Sequence, residues 1–203
     1  MSAALYNTLP TLADADEKFL QREAIFSQLA PLFAQYNNLF GLCLVHAHCE
    51  LKDDEIMIST GDVSEPTQGV TGHPERWLAS GVPYEFSSTP TAIPPPDLVA
   101  AFHAVVGTYA DILGLFYAGN LTPGQIMLEH TEGRKNITEI VDNAGGNIQT
   151  AWMPGTKNPL MMACVIVCDS LTTRSGGYHK NTKSHLKQYV TLQISPLVLH
   201  FLI

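Results

Sequence analysis

The sequence predicts an α+β fold in which one antiparallel sheet of about six to eight strands packs against two main helices. Two segments carry apolar residues at three- and four-residue spacing, the period of an amphipathic helix. Most other apolar runs are short and joined by brief turns, which indicates antiparallel neighbours because parallel strands need a long crossover. The 203 residues are 45% hydrophobic and 15% charged, which is enough for one domain with a buried core. We therefore expect residues 1–203 to form a single domain.

The two helices are predicted over residues 14–36 and 97–109. In the first helix, Asp14 or Asp16 can cap the start, and Pro31 would kink the helix or end it early. The second helix follows a proline-rich segment, and prolines just ahead of the first turn are a typical start signal. Both helices are expected to cover the sheet.

The strands are predicted on both sides of the second helix. An apolar run over 38–51 is typical of one continuous strand, which turns at 52–55 into a returning strand over 56–59. Residues 61–82 are rich in glycine and proline and lack periodicity, so they are predicted to form a long loop. Further strands are predicted over 83–86, 112–117, 126–130, 137–141, 148–152 and 160–168.

Charge and cysteine content narrow the function classes. The formal net charge of −8 argues against a nucleic-acid or anionic-membrane binder, because contacts to phosphate need a basic face. The amino terminus lacks the basic and apolar regions of a signal peptide, and four cysteines are too few for a secreted disulfide scaffold. We therefore expect a cytoplasmic protein.

The carboxyl-terminal segment 190–203 is the most apolar part of the chain. It contains Pro196 and is shorter than the roughly 20 residues that span a bilayer, so no membrane span is expected. It is predicted to form a terminal strand or a loosely placed tail. In either form it could pair with a second copy and give a homo-oligomer.

The leading candidate site is the histidine pair His46 and His48. Alternation along the predicted strand points both imidazoles to one face, and two such nitrogens can bind one divalent ion such as Zn or Fe. Glu50 or Glu55 is the candidate acid/base residue. The alternative is that both histidines are buried and hydrogen-bonded, or lie exposed near the end of the strand.

A metal site needs at least a third ligand, and His130 is the leading candidate. Glu129 and His73 are further candidates. If His130 faces inward with Ile126 and Leu128, Glu129 must face the other way, because neighbours on a strand point to opposite sides. The sequence therefore predicts a site of His46, His48 and His130.

One stretch of the chain partly resembles the first metal motif of the cupin barrels, in which glycine precedes a His-x-His pair and glutamate and glycine follow. The chain offers Gly41, His46, His48, Glu55 and Gly61 in that order. The spacings differ by one or more residues, and no second motif with its histidine follows. The resemblance implies a metal-binding role for the histidine pair and does not assign the chain to the family.

A second candidate cluster consists of Cys164, Cys168, His179 and His185. Two thiolates and two imidazoles in this order can enclose a structural zinc. Cys164 and Cys168 lie about 13 Å apart on a fully extended strand, so one ion reaches both only across a bulge or turn. Otherwise these cysteines are small core residues.

Three functions remain open from the sequence. The first is a metal-binding protein or metal-dependent enzyme that uses His46 and His48. The second is a metal-free module with a small-molecule ligand in a pocket covered by residues 61–82. The third is an interaction protein that associates through its apolar carboxyl-terminal segment.

Overall fold

The computed structural model describes residues 3–119, 121–122, 124–143, 145–157 and 160–164. Within these ranges the protein is an α+β structure with four α-helices and ten β-strands. The strands form one mixed, curled sheet that closes into a barrel. The α+β class is confirmed, but a purely antiparallel sheet of six to eight strands is wrong.

The helices lie in the first 110 residues. They are α1 (Ala3–Tyr6), α2 (Leu12–Lys18), α3 (Arg22–Gln35) and α4 (Pro96–Val106), with a 3-10 turn at Gly107–Tyr109 after α4. The first predicted helix is thus two helices, α2 and α3. Thr11, rather than either aspartate, caps α2 by accepting a hydrogen bond from the Asp14 backbone N–H at 3.1 Å. Pro31 lies inside α3 and does not end it.

The strands alternate with tight turns along most of the chain. They are β1 (Phe40–Leu44), β2 (Glu55–Thr60), β3 (Val63–Gln68), β4 (His73–Leu78), β5 (Pro83–Ser87), β6 (Leu113–Tyr117), β7 (Ile126–Glu132), β8 (Lys135–Val141), β9 (Ile148–Trp152) and β10 (Leu160–Cys164). The predicted strand over 160–168 extends past the described residues, as does the apolar segment 190–203.

The ring order of the strands is β1-β6-β4-β5-β2-β3-β8-β7-β10-β9, and β9 closes the ring on β1. Two pairs are parallel, β2 with β5 and β7 with β10. Two other strands lie between the members of each parallel pair along the chain. These strands make the connection that a helix makes in many parallel sheets. Short turns therefore did not guarantee antiparallel neighbours throughout.

The predicted loop over 61–82 is wrong, because β3 and β4 occupy most of it. Gly61 and Gly69 have φ values of 60° and 71°, a left-handed conformation that glycine adopts without a steric penalty and that marks the turns. Pro66 lies inside β3 opposite Met57. Proline and polar residues in these strands hid the usual strand pattern.

The predicted strand over 38–51 is shorter than expected, because β1 ends at Leu44. Beyond it the Val45 N–H donates to the Ile112 carbonyl at 2.8 Å, and the Ala47 N–H donates to the Pro10 carbonyl at 3.2 Å. The chain therefore leaves the sheet toward the amino-terminal segment. His46 and His48 lie on this irregular segment and not on a strand.

Helices α2, α3 and α4 cover one outer side of the barrel. Leu29 and Phe33 of α3 and Phe102 of α4 are fully buried with Leu42 and Trp152 of the barrel wall in one apolar cluster. The Phe33 and Phe102 rings stack with centroids 6.4 Å apart. Among the described residues, no helix combines the length and the apolar character needed to cross a lipid bilayer.

Candidate metal centre

The candidate site lies in the interior of the barrel. Arg76 on β4 contacts Glu129 on β7, with 2.6 Å between Nη2 and Oε1. These strands hold the third and eighth positions in the ring of ten, so they lie on opposite sides of the barrel. Side chains from opposite strands can meet only inside, and both residues are buried. The inner face of the barrel therefore carries charged groups.

The histidine pair enters this interior just after β1. The two rings lie edge to face with centroids 4.6 Å apart, and both side chains are buried. His46 Nδ1 lies 2.9 Å from the Leu44 carbonyl oxygen. A carbonyl only accepts, so Nδ1 carries the proton and the neutral ring keeps a lone pair on Nε2.

His48 Nε2 is a buried atom with no hydrogen-bond partner. It lies 3.6 Å from Glu85 Oε1 and 4.0 Å from Glu129 Oε2, and both distances exceed a hydrogen bond. An unsatisfied buried polar group costs about 1–3 kcal/mol. Burial of this nitrogen without a hydrogen bond therefore lowers the stability of the fold, and a bound ligand could supply the missing contact.

Glu129 and Cys164 complete the cluster. One donor atom from each of His46, His48 and Glu129 lies within 4.8 Å of the others. The Cys164 thiol donates to Glu129 Oε2 at 3.0 Å, and its sulfur lies 3.7 Å from His46 Nε2. Cys164 Sγ also lies 3.5 Å from Thr150 Oγ1. Cys164 thus contacts His46 and Glu129, while the donor atoms that all lie within 4.8 Å of one another are those of His46, His48 and Glu129.

The protonation states of the cluster follow from burial and from Arg76. Burial, reinforced for His46 by the neighbouring His48 ring, lowers the pKa of each histidine to about 4. Burial alone would raise the pKa of Glu129, but the Arg76 guanidinium, the two histidines and the Cys164 hydrogen bond together outweigh burial, and the pKa falls to about 2. Near neutral pH both imidazoles are therefore neutral and Glu129 is ionised. The proximity of His48 to the carboxylates is consequently not an ion pair.

Arg76 is shared between two carboxylates. Its Nε lies 3.2 Å from Glu85 Oε2, while Nη2 binds Glu129. Burial raises the pKa of Glu85 and Arg76 opposes the rise. The Tyr6 hydroxyl donates to Glu85 Oε1 at 3.3 Å and accepts from the His48 backbone N–H at 3.3 Å. Through Tyr6, the amino-terminal segment packs over the site.

His130 lies away from the histidine pair. It is half-buried, with Nε2 3.5 Å from Glu132 Oε1. On β7 the fully buried positions are Met127 and Glu129, whereas Ile126 and Leu128 are only half-buried. The third residue beside the histidines is therefore Glu129, which corrects the expected His130. The prediction that only one of the two can face the pair agrees with this geometry.

The other predicted residues are placed elsewhere. Glu55 forms an ion pair with Arg134, whose hydrogen bond lowers the pKa of this carboxyl. Glu50 is exposed, and its carbonyl oxygen accepts from Arg134 Nη2 at 2.7 Å. His73 is exposed at the start of β4. These residues do not join the buried cluster, so the expected acid/base role of Glu50 or Glu55 is not supported by their positions.

The predicted cysteine–histidine cluster is represented only by Cys164. Cys168, His179 and His185 lie outside the described residues. Cys164 is buried beside Glu129 and His46, so it belongs to the histidine site. The free cysteines among the described residues are Cys43, Cys49 and Cys164.

Arg76 and Glu85 were not found from the sequence. Arg76 lies 53 positions from Glu129, in a stretch that was predicted to be a loop. A charged residue flanked by Trp77 in a short strand gives no local indication that it is buried. Only the closure of the barrel brings Arg76, Glu85 and Glu129 together.

Comparison with protein-family models, curated proteins and solved structures found no match to this chain. Of the residues that resemble the cupin motif, His46 and His48 lie in the cluster and Glu55 lies in the pair with Arg134. The site must therefore be understood from its own geometry.

Proposed function

We propose that the barrel interior binds a divalent transition-metal ion through His46, His48 and Glu129. The convergence of their donor atoms within 4.8 Å carries this proposal. The unpartnered His48 Nε2 supports it, because a bound ion would give a partner to a nitrogen that nothing else in the described protein engages.

The protonation states suit coordination. Metal ligands must be deprotonated to bind, so metal affinity depends on pH. The pKa values of about 4 for His46 and His48 and about 2 for Glu129 leave all three ready to bind near neutral pH. The cluster needs no proton removed from these three residues.

The surrounding contacts resemble those that orient metal ligands in proteins. Ligating histidines commonly donate their second N–H to a carbonyl, and ligating carboxylates are themselves hydrogen-bonded. His46 donates to the Leu44 carbonyl, which directs Nε2 inward. Arg76 binds Glu129 through Oε1, so that Oε2, which accepts from the Cys164 thiol, is the oxygen on the histidine side, while Glu85 helps to balance the guanidinium charge.

The donor set favours zinc or iron(II). Two imidazoles and one carboxylate occur in both zinc sites and non-haem iron sites. With a coordination position left open, such an ion can polarise a substrate oxygen or lower the pKa of bound water, which is the form that an enzymatic role would take. A reducing compartment such as the cytoplasm suits this proposal, because Cys43, Cys49 and Cys164 are free thiols.

Thermal unfolding with and without metal tests the proposal. A ligand that binds only the folded state raises its melting temperature. Chelator-treated protein should melt at a higher temperature after addition of Zn²⁺ or, without oxygen, Fe²⁺. His48→Asn and Glu129→Gln should each lose most of this increase. Calorimetric titration of the same samples should give a binding isotherm for the parent alone.

His73→Asn and His130→Asn are the matched controls, because both histidines lie outside the cluster. Both should retain the metal-dependent increase. If neither metal raises the melting temperature of the parent, or if the cluster variants respond as the controls do, the proposed site is wrong. Circular dichroism of each metal-free variant distinguishes lost binding from lost folding.

A further inference from the structure

We propose that the Cys164 thiolate is the fourth ligand of this ion, so that the site is a closed, four-coordinate centre selective for thiophilic ions such as Zn²⁺. The inference rests on the proposed function and extends it from a three-residue site to a two-histidine, one-glutamate, one-cysteine site. It also predicts the class of ion that the site excludes.

The position of the sulfur carries the argument. Cys164 Sγ lies 3.7 Å from His46 Nε2 and 3.0 Å from Glu129 Oε2. In a tetrahedral zinc site, bonds of about 2.0–2.3 Å place a sulfur and a nitrogen ligand about 3.6 Å apart. The sulfur therefore already lies at the separation expected between two ligands of one ion, and it faces the same place as the lone pair of His46.

The unpartnered nitrogen provides an independent observation. His48 is more than nine-tenths buried, and its Nε2 has no hydrogen-bond partner. It faces the cluster from the Glu85 side, 4.0 Å from Glu129 Oε2. An ion bound between these atoms would satisfy the nitrogen and would replace the thiol proton that now bonds to Glu129, and that proton would leave to solvent.

The ring positions of the four ligands make the site a cross-link of the barrel. His46 and His48 follow β1, Glu129 lies on β7 and Cys164 lies on β10. β10 separates β7 from β9, and β9 pairs with β1. The ion would therefore join the strands on both sides of the point where the ring closes, which is the structural role that closed zinc sites serve.

A thiolate ligand determines which metals bind. Thiolate and imidazole favour zinc and similar ions, whereas magnesium, calcium and manganese prefer oxygen ligands. The chain should accordingly bind Zn²⁺ and Co²⁺ in the presence of a large excess of Mg²⁺ or Ca²⁺. An open site of two histidines and one glutamate would lack this sulfur contribution.

X-ray absorption spectroscopy of the zinc-loaded full chain tests the ligand set without any mutation. The expected first shell contains one sulfur at about 2.3 Å and nitrogen and oxygen ligands at about 2.0–2.2 Å. A shell of nitrogen and oxygen alone would overturn the fourth-ligand inference and leave the proposed function intact. Failure of the chain to bind zinc at all would overturn both.

Cobalt substitution provides the matched variants. The Co²⁺-loaded parent should show a thiolate-to-metal charge-transfer band, which Cys164→Ser should abolish and Cys43→Ser should retain. Cys43 is a suitable control because it is also buried and its sulfur contacts Tyr84. Loss of a partner that only orients a ligand costs about 10–100-fold in affinity, so Cys164→Ser should lose at least that. Persistence of the band in Cys164→Ser would overturn the inference.

Discussion

The two faces of the barrel wall are built from the same strands, but the inner face adds buried charged side chains to an apolar cluster that includes Phe116 and Met127. On β1, Leu42 and Leu44 pack outward in the apolar cluster beneath the helices. Between them, Cys43 faces the interior and contacts the Tyr84 hydroxyl at 3.5 Å. On β4, Trp77 packs outward while Arg76 points inward to two carboxylates.

The two faces therefore differ in what stabilises them and in which reactive groups they carry. The outer face is stabilised by burial of apolar area, which is non-directional and tolerates changes of shape. The inner face combines an apolar cluster with buried charge pairs, and removal of one partner of such a pair leaves the other charge uncompensated. The inner face also contains the unpartnered nitrogen of His48, which a purely stabilising network would not need.

Arg76→Met should give the largest effect. It leaves the buried carboxylates of Glu85 and Glu129 without their shared cation, and breaking a buried charge pair costs about 3–5 kcal/mol. The free energy of unfolding in urea measures the loss. Addition of Glu129→Gln to this variant should recover part of it, and an equal loss in the single and double variants would contradict the charge-pairing account.

Acid should destabilise the metal-free protein through the histidine pair. The pKa values are about 4 in the folded chain, against 6.5 ordinarily, so the unfolded chain binds more protons between these values. The full contribution to stability is therefore present above pH 6.5 and is lost as the pH falls toward 4. Unfolding free energies measured with chelator across this window check the prediction.

His46→Asn combined with His48→Asn should flatten this pH dependence between 6.5 and 4, because asparagine does not titrate. His73→Asn should leave it unchanged, because that histidine is exposed. A parent whose unfolding free energy stays constant through the window would show that the two imidazoles are not held neutral by burial.

Leu29→Met on the outer face should have a smaller effect. Leu29 is fully buried in α3 among apolar neighbours, and a volume-conserving apolar exchange usually costs less than about 1.5 kcal/mol. Zinc affinity should be unchanged, because the cluster lies on the other side of the wall. A variant that keeps its fold but loses zinc binding would break the proposed separation of the two faces.

Arg134→Ala should give the smallest effect. Arg134 pairs with Glu55 and donates to the Glu50 carbonyl. Both side chains keep part of their solvent contact, and ion pairs screened by solvent contribute about 1 kcal/mol or less. Urea unfolding of Arg134→Ala and Arg76→Met compares the free energy lost when an arginine is removed from a partly exposed and from a buried ion pair. A loss at Arg134 equal to that at Arg76 would contradict the distinction.

The sequence was sufficient to predict the elements that depend on local residue patterns, namely the helices and one hairpin. The period of apolar residues located the helices, although α2 ends at Lys18 and α3 begins at Arg22, so the first predicted helix is two helices. The hairpin of β7 and β8 follows from its apolar runs and the turn at Gly133. In contrast, β3 and β4 were missed because Pro66 and a polar composition concealed them.

The candidate site could be predicted only in part. The histidine pair stood out because two imidazoles lie two residues apart. Alternation along β7 allowed only one of Glu129 and His130 to join the pair, and His73 was a further candidate. His130 was expected because Ile126 and Leu128 were taken as inward-facing; these two are half-buried, and Glu129 is the residue beside the histidines. A buried glutamate depends on a distant cation, Arg76, which no local pattern could supply.

The central claim is that the barrel interior, and not the surface, holds a metal ion. Anomalous diffraction at the zinc absorption edge, from crystals of the zinc-loaded full chain, tests it most directly. We expect a strong anomalous peak among His46 Nε2, His48 Nε2 and Glu129 Oε2, within bonding distance of Cys164 Sγ. An empty interior, with zinc bound only at exposed groups such as His73, would contradict it.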